Sequence, residues 1–151
     1  MIWVSRCICV KKRGGMRMKK IMVVDNDVDH TQTVKQILDG TDDPYEVICA
    51  GSGIDCLKLL RKIELKNEEI PDLILLDIMM PKMNGWETFK KLKENSTWKN
   101  IPVVFLTART DEFAEKAGSF LAVDYIKKPY DVEDLKKKID KILEKSNPEN
   151  L

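Results

Sequence analysis

Short apolar runs alternate with amphipathic stretches along most of this chain. Five runs rich in β-branched and aliphatic residues predict strands, and the stretches between them repeat their apolar residues at helical spacing. Alternation of this kind predicts an α/β fold with a parallel sheet and right-handed crossovers. The two runs that are apolar at consecutive positions predict central strands covered on both faces. The predicted strands span residues 21–25, 45–50, 72–77, 101–107 and 122–126.

Three helix starts are predicted by a capping residue with an acid three positions later. Ser52, Asn84 and Asp131 occupy the capping position, followed by Asp55, Glu87 and Asp134. The last helix is expected to bury one apolar face and to expose its lysines. That predicted face consists of Val132, Leu135, Ile139 and Ile142.

Length and charge narrow the class of protein. The chain has 151 residues, which fits one domain. Residues 1–20 carry seven of the 26 basic side chains and no acidic one, so the remainder carries 19 basic against 25 acidic side chains. An acidic body disfavours nucleic acid as a direct ligand and favours a cation. No apolar run is long enough to span a bilayer.

The cysteines and the chain ends refine this picture. The chain has four cysteines, none of them in a CxxC pair, and a single histidine, which disfavours structural zinc. So few cysteines also disfavour a disulfide framework and predict a cytoplasmic protein. Residues 1–18 are interpreted as a basic, disordered extension or as a start assigned too early, since Met16 and Met18 precede the first strand pattern. The predicted domain spans 19–146, with a tail at 147–151 and no output domain.

Polar residues follow the predicted strands where parallel strands present their carboxyl ends, the edge at which open α/β sheets bind ligands. The first strand ends in Asp25, Asn26 and Asp27, the third in Asp77 and the fourth in Thr107, and the fifth leads into Lys127, Lys128 and Pro129. Converging oxygen ligands favour Mg²⁺ over zinc. A carboxylate beside Mg²⁺, a hydroxyl and an ammonium group indicates phosphoryl transfer onto aspartate.

Four segments resemble the receiver domain of two-component response regulators. They occur in that family's order and at nearly its spacing, and the resemblance extends over about residues 19–145. It implies a flavodoxin-like (βα)5 doubly wound sheet with strand order 2-1-3-4-5, in the stand-alone class of chemotaxis-type and phosphorelay receivers. The segments are 23–27 (VVDND), 75–85 (LLDIMMPKMNG), 106–109 (LTAR) and 124–129 (DYIKKP).

The resemblance assigns roles to individual residues. Asp77 would be the phosphoacceptor, Thr107 and Lys128 would contact the phosphoryl group, and Tyr125 would be the aromatic switch. It also implies a cis bond before Pro129. The Mg²⁺ ligands would be Asp25, Asn26, Asp77 and the backbone carbonyl of Met79.

The same resemblance implies the partners. A sensor histidine kinase or a histidine phosphotransfer protein would donate the phosphoryl group, and a downstream protein would recognise the switched surface. The chain itself would be a monomer or a weak, phosphorylation-linked dimer, and it would be no enzyme beyond its phosphoryl transfer and self-dephosphorylation.

Two departures from the family pattern carry expectations. Asn26 stands where the family has a second acid, which predicts weaker Mg²⁺ binding, with Asp27 as a hypothetical compensating ligand through water. The segment between Thr107 and Lys128 is one residue shorter than usual and has Leu121 in place of a common glycine. This predicts a short or irregular fourth helix.

Two alternative functions stay open at this stage. Residues 21–28 (IMVVDNDV) also resemble the strand and acid pair of the DxDxV motif of haloacid-dehalogenase-type phosphatases, in which Asp25 would be the nucleophile and Asp27 the general acid. That assignment leaves the Asp77 loop unexplained. The second alternative is a receiver that has lost its metal through Asn26 and docks without phosphorylation.

His30 is interpreted as a solvent-facing helix residue.

Overall fold

A computed structural model describes residues 18–40, 45–108 and 124–145 of the chain. Five strands form one parallel sheet: β1 (Lys20–Val24), β2 (Glu46–Ala50), β3 (Leu73–Asp77), β4 (Val103–Thr107) and β5 (Asp124–Lys127). Their order in the sheet is β2-β1-β3-β4-β5, and every neighbouring pair is parallel. The predicted fold class and strand order are therefore confirmed.

Four helices flank the sheet: α1 (Val28–Asp39), α2 (Gly53–Leu65), α3 (Gly85–Glu94) and α4 (Val132–Lys145). None of the described helices is both long and apolar enough to cross a bilayer. The irregular helix predicted between Thr107 and Lys128 and the extension at 1–18 fall almost wholly outside the described residues.

The central strands are buried on both faces, as their uninterrupted apolar runs predict. One apolar cluster joins the sheet to α2 and α3 through residues such as Phe105, Leu60 and Phe89. The other joins it to α1 and α4 through residues such as Leu75 and Leu38. Two packed layers of helices thus hold the carboxyl ends of the strands at one rigid edge.

Capping residues determine where α2 and α3 begin. The Ser52 side chain accepts a hydrogen bond from the Asp55 amide, and Asn84 forms a reciprocal capping box with Glu87. Both predicted starts are confirmed. The start predicted at Asp131 agrees with α4 beginning at Val132.

The buried face of α4 differs from the predicted face at one position. Val132 is 52% exposed, whereas Leu143 is buried together with Leu135, Ile139 and Ile142. Val132 is the first residue of the helix, and the buried positions of α4 begin at Leu135. The apolar stripe therefore begins one turn later than predicted.

Candidate functional site

Two carboxylates lie side by side at the carboxyl edge of the sheet because their strands pair directly. Asp77 ends β3, and Asp25 follows β1, its neighbour in the sheet. Both side chains are buried, with residue exposures of 1% for Asp25 and 6% for Asp77. The ammonium group of Lys128 lies between them, with Nζ 3.1 Å from Asp25 Oδ2 and 3.7 Å from Asp77 Oδ2.

The pKa values of the two acids are shifted in opposite directions. Burial raises the pKa of Asp77 to about 6, and the neighbouring Asp25 charge adds to this, while Lys128 opposes it. Burial also acts to raise the pKa of Asp25, but hydrogen bonds from His30 and the Asp27 amide, together with Lys128, outweigh it. They hold the Asp25 pKa well below its usual range. Asp25 therefore stays ionised at pH values at which Asp77 takes up a proton.

Backbone amides orient both carboxylates. The Asp27 amide donates to Asp25 Oδ1 at 2.9 Å, and the Met79 amide donates to Asp77 Oδ1 at 3.2 Å. In each case the donor lies two residues after the acid, so the turn that leaves the strand aims the side chain. The Met79 side chain is 52% exposed beside Asp77.

The turn after β3 requires glycine at position 85. A Cβ atom there would lie 2.5 Å from the Asp77 carbonyl oxygen and 2.7 Å from Ile78 Cα, closer than real Cβ contacts allow. The Gly85 amide also donates to the Ile78 carbonyl at 2.9 Å. The close approach at Gly85 therefore fixes the backbone that carries Asp77.

Thr107 and Lys128 reach the same edge from neighbouring strands. Thr107 ends β4 and is buried, and its backbone carbonyl accepts a hydrogen bond of 2.7 Å from the Lys128 amide. The Lys128–Pro129 bond is cis, as the resemblance implied. Four of the predicted site residues, Asp25, Asp77, Thr107 and Lys128, thus meet at one edge of the sheet.

Tyr125 lies on β5, two strands away from the strand that carries Asp77. It pairs in register with Phe105 and is partly buried against the apolar cluster that contains Phe105. Lys138 of α4 donates to the Tyr125 carbonyl at 2.7 Å, and its Nζ lies 5.6 Å from the centre of the Tyr125 ring. Tyr125 therefore connects β4, β5 and α4.

Asn26 and Asp27, the two residues after Asp25, differ in what their side chains contact. Asn26 is exposed in the loop after β1. The Asp27 side chain caps α1 and accepts hydrogen bonds from the amides of Asp29 and His30. Asp27 thus has a structural role that its place in the motif did not reveal.

The interpretation of His30 as solvent-facing is wrong. Its Nδ1 lies 2.5 Å from Asp25 Oδ2, and its Nε2 forms a short hydrogen bond with the Tyr130 hydroxyl. His30 lies in the first turn of α1, which Asp27 caps directly after β1, and from there its side chain reaches Asp25. Tyr130 is the partner that sequence reasoning missed, and only the folded chain brings it to His30, 100 residues away.

A Mg²⁺ ion prefers oxygen ligands, and the acids at this edge of the sheet supply them. Among the described residues, no group of three or more His, Cys, Asp or Glu side chains is arranged to hold a metal by itself. Asp25 and Asp77 supply buried carboxylate oxygens at this edge, and Asn26 and the Met79 carbonyl, in the loops that follow, are the further oxygen ligands that the resemblance implies. A divalent cation would bring more positive charge to these two carboxylates than the single Lys128 ammonium group brings, so their chemistry fits Mg²⁺.

Comparison with known proteins agrees with the fold and the motifs. The response regulator receiver domain matches residues 21–140. A curated relative, the transcriptional regulatory protein CpxR of Klebsiella pneumoniae, is 37% identical over 86% of this chain and 51% of its own length. The chain thus spans about half the length of the curated relatives that head this comparison.

Solved structures give the same result. The chemotaxis protein CheY4 of Vibrio cholerae has a TM-score of 0.72 and 29% identity, over 83% of this chain and 98% of that one. The Mn²⁺-bound form of response regulator Rcp1 has a TM-score of 0.68 and 30% identity, over 83% of this chain and 92% of that one. The match to the receiver model over most of the chain favours the receiver over the phosphatase alternative, and the chain belongs to the response regulator receiver family.

Proposed function

We propose that this chain accepts a phosphoryl group on Asp77 from a sensor histidine kinase or a histidine phosphotransfer protein, in a Mg²⁺-dependent reaction. The observation that carries the proposal is the pair of buried carboxylates, Asp25 and Asp77, that share the Lys128 ammonium group at the carboxyl edge of the sheet. Membership of the receiver family supports it. This chain would act as a signalling component, with no catalysis beyond its phosphoryl transfer and self-dephosphorylation.

Asp77 is the better nucleophile of the two acids. Its Oδ2 makes one long contact with Lys128, whereas both oxygens of Asp25 accept close hydrogen bonds. In the transfer, an Asp77 oxygen forms a bond to phosphorus while the bond from phosphorus to the donor imidazole nitrogen breaks. The donor imidazole leaves with the electron pair of that bond, and Asp77 becomes an acyl phosphate.

The residues around Asp77 then stabilise the added charge. Asp25, Asn26, Asp77 and the Met79 carbonyl would hold Mg²⁺, which supplies charge neutralisation for the phosphoryl oxygens when bound. Lys128 is already within 3.7 Å of Asp77 and would pair with the phosphoryl group, and the Thr107 hydroxyl would donate to it. A solved relative, response regulator Rcp1, has a Mn²⁺-bound form, which supports binding of a divalent cation by this chain.

Phosphorylation would shift the surface formed by β5 and α4. A phosphoryl group adds about −1.5 to −2 charges and attracts Thr107 and Lys128. Lys128 directly follows β5, the strand that carries Tyr125, and Lys138 joins Tyr125 to α4, so this movement would repack the Tyr125 surface. A downstream protein would recognise that surface. The stand-alone arrangement and the cytoplasmic location stay predictions.

Incubation with acetyl phosphate and Mg²⁺, followed by intact-mass spectrometry, tests the function. We expect wild type to gain the mass of one phosphoryl group, Asp77→Asn to gain none, and Asp29→Asn, which changes an exposed acid of α1, to match wild type. Loss with Asp25→Asn but not with Asp77→Asn would favour the phosphatase alternative.

A wild type that gains no phosphoryl mass and shows no spectral response to beryllofluoride would contradict the proposal. That outcome would favour the docking receiver that works without phosphorylation, for which the exposed amide of Asn26 in place of an acid is the supporting observation.

A further inference from the structure

The single histidine of the chain lies at the candidate metal site. His30 is in the first turn of α1, and its side chain is 18% exposed. Its Nδ1 lies 2.5 Å from Asp25 Oδ2, the shortest of the three contacts that the Asp25 carboxylate makes with His30, Asp27 and Lys128. None of the roles implied by the receiver resemblance involves this residue.

The proton positions follow from the partners. An ionised carboxylate can only accept, so the His30 Nδ1–H group donates to Asp25. Nε2, on the other side of the ring, shares a short hydrogen bond with the Tyr130 hydroxyl. Burial and the Asp25 charge raise the pKa of Tyr130, so its hydroxyl keeps its proton. The two rings meet edge to face, with centres 5.6 Å apart.

We propose that His30 is a positioning residue for the Mg²⁺ site, holding the Asp25 carboxylate in place while Tyr130 holds the imidazole. The inference rests on the proposed function, because it takes Asp25 as a metal ligand. Hydrogen-bond partners of metal ligands fix ligand orientation, and their loss typically weakens metal binding about 10- to 100-fold.

Two features make this role important in this chain. Lys128 shares Asp25 Oδ2 with His30 but sits on a long, flexible side chain that also contacts Asp77, so its hold on Asp25 is the less rigid of the two. Asn26 supplies an amide where the family has an acid, so Asp25 carries a larger part of the negative charge that attracts the cation.

Isothermal titration of the full chain with Mg²⁺ tests the role, using His30→Leu, His30→Asn and Tyr130→Phe, with Gln36→Leu on the exposed face of α1 as the matched control. We expect His30→Leu to bind Mg²⁺ about 10-fold more weakly than wild type. His30→Asn, whose amide can replace the Nδ1 donor, should recover part of the loss, and Tyr130→Phe should show a smaller loss. Gln36→Leu should match wild type.

Nitrogen NMR supplies a readout that does not depend on metal affinity. Because the chain has one histidine, its ring nitrogens are assigned without ambiguity. We expect a ring that carries a proton on Nδ1 and a shift of the Nε2 resonance in Tyr130→Phe. If a urea titration shows that His30→Leu is not folded, the comparison of His30→Asn and Tyr130→Phe with wild type tests the inference instead.

The inference would be overturned if His30→Leu bound Mg²⁺ as tightly as wild type, or if wild type bound no Mg²⁺. It would also be overturned if Tyr130→Phe left the His30 ring-nitrogen resonances unchanged. Failure of the proposed function is distinguishable, because neither readout requires phosphorylation. A chain that binds Mg²⁺ through His30-oriented Asp25 and takes no phosphoryl group would contradict the function alone.

Discussion

The Lys128 ammonium nitrogen lies 3.1 Å from Asp25 Oδ2, joining residues 103 positions apart. The carboxylate is buried and the lysine is only partly exposed, so the charges interact more strongly than a surface pair would. The same ammonium group is within reach of Asp77. Lys128 therefore compensates two acids where a bound cation would otherwise do so.

Replacing Lys128 is expected to strengthen Mg²⁺ binding. Lys128→Gln removes a positive charge that repels the cation and competes for Asp25, so we expect affinity to rise about 3- to 10-fold in a calorimetric titration. Lys127→Gln, which changes the exposed neighbour on β5, is the matched control and should leave affinity near that of wild type. Weaker binding in Lys128→Gln would show that the ammonium group organises the site instead of competing with the metal.

Restoring an acid after Asp25 should also tighten Mg²⁺ binding. Asn26→Asp replaces a neutral amide oxygen with a carboxylate, and we expect affinity to rise about 5- to 10-fold in the same titration. Asn100→Asp introduces the same charge just before β4, at the opposite edge of the sheet, and controls for net charge. An unchanged affinity in Asn26→Asp would remove the reason to regard this site as weak.

A methyl group at position 85 should disturb the Asp77 loop. Gly85→Ala places Cβ against the Asp77 carbonyl and Ile78, and we expect the free energy of unfolding in urea to fall by about 1 to 3 kcal/mol, with weaker Mg²⁺ binding. Gly51→Ala is the control, since its Cβ would meet only ordinary contact at 3.8 Å. Equal stability of the two variants would mean that the backbone at Asp77 relaxes freely.

The raised pKa of Asp77 predicts how stability depends on pH in the metal-free protein. The folded-state pKa of about 6 exceeds the ordinary value of 3.8, so the native state binds the Asp77 proton more tightly and loses stability as pH rises through this interval. Asp77→Asn removes that loss. We expect the variant to be more stable than wild type by about 1 to 3 kcal/mol above pH 6.

Urea unfolding in EDTA from pH 4 to pH 8 measures this difference. The advantage of Asp77→Asn should shrink as pH falls from about 6 toward 4. A constant difference across the range would contradict the raised pKa. Asp29→Asn, which changes an exposed acid and keeps Asp77, serves as the control, and its stability should follow the same pH dependence as wild type.

Local sequence signals predicted most of the fold and part of the site. Uninterrupted apolar runs identified β3 and β4, because only strands covered on both faces tolerate them. Ser52 and Asn84 identified helix starts because capping depends on residues three positions apart. Asp25 and Asp77 were identified because both follow a strand of a parallel sheet.

The contacts that the sequence left unpredicted depend on distant residues. His30 reaches Asp25 through the capped turn of α1, and its second partner, Tyr130, is 100 residues away. A lone histidine in a helical pattern carries no signal for either contact. Val132 was misassigned to the buried face for a similar reason, since burial at a helix end depends on where the chain enters it.

The central claim is that the phosphoryl group forms an acyl phosphate on Asp77. Borohydride reduces an aspartyl phosphate to homoserine, so reduction after incubation with acetyl phosphate and Mg²⁺, followed by peptide mass mapping, locates the modified residue. The account predicts homoserine at position 77 in wild type and in Asp29→Asn, and aspartate at position 25 in both. Homoserine at position 25, or at neither position in a chain that binds Mg²⁺, would contradict it.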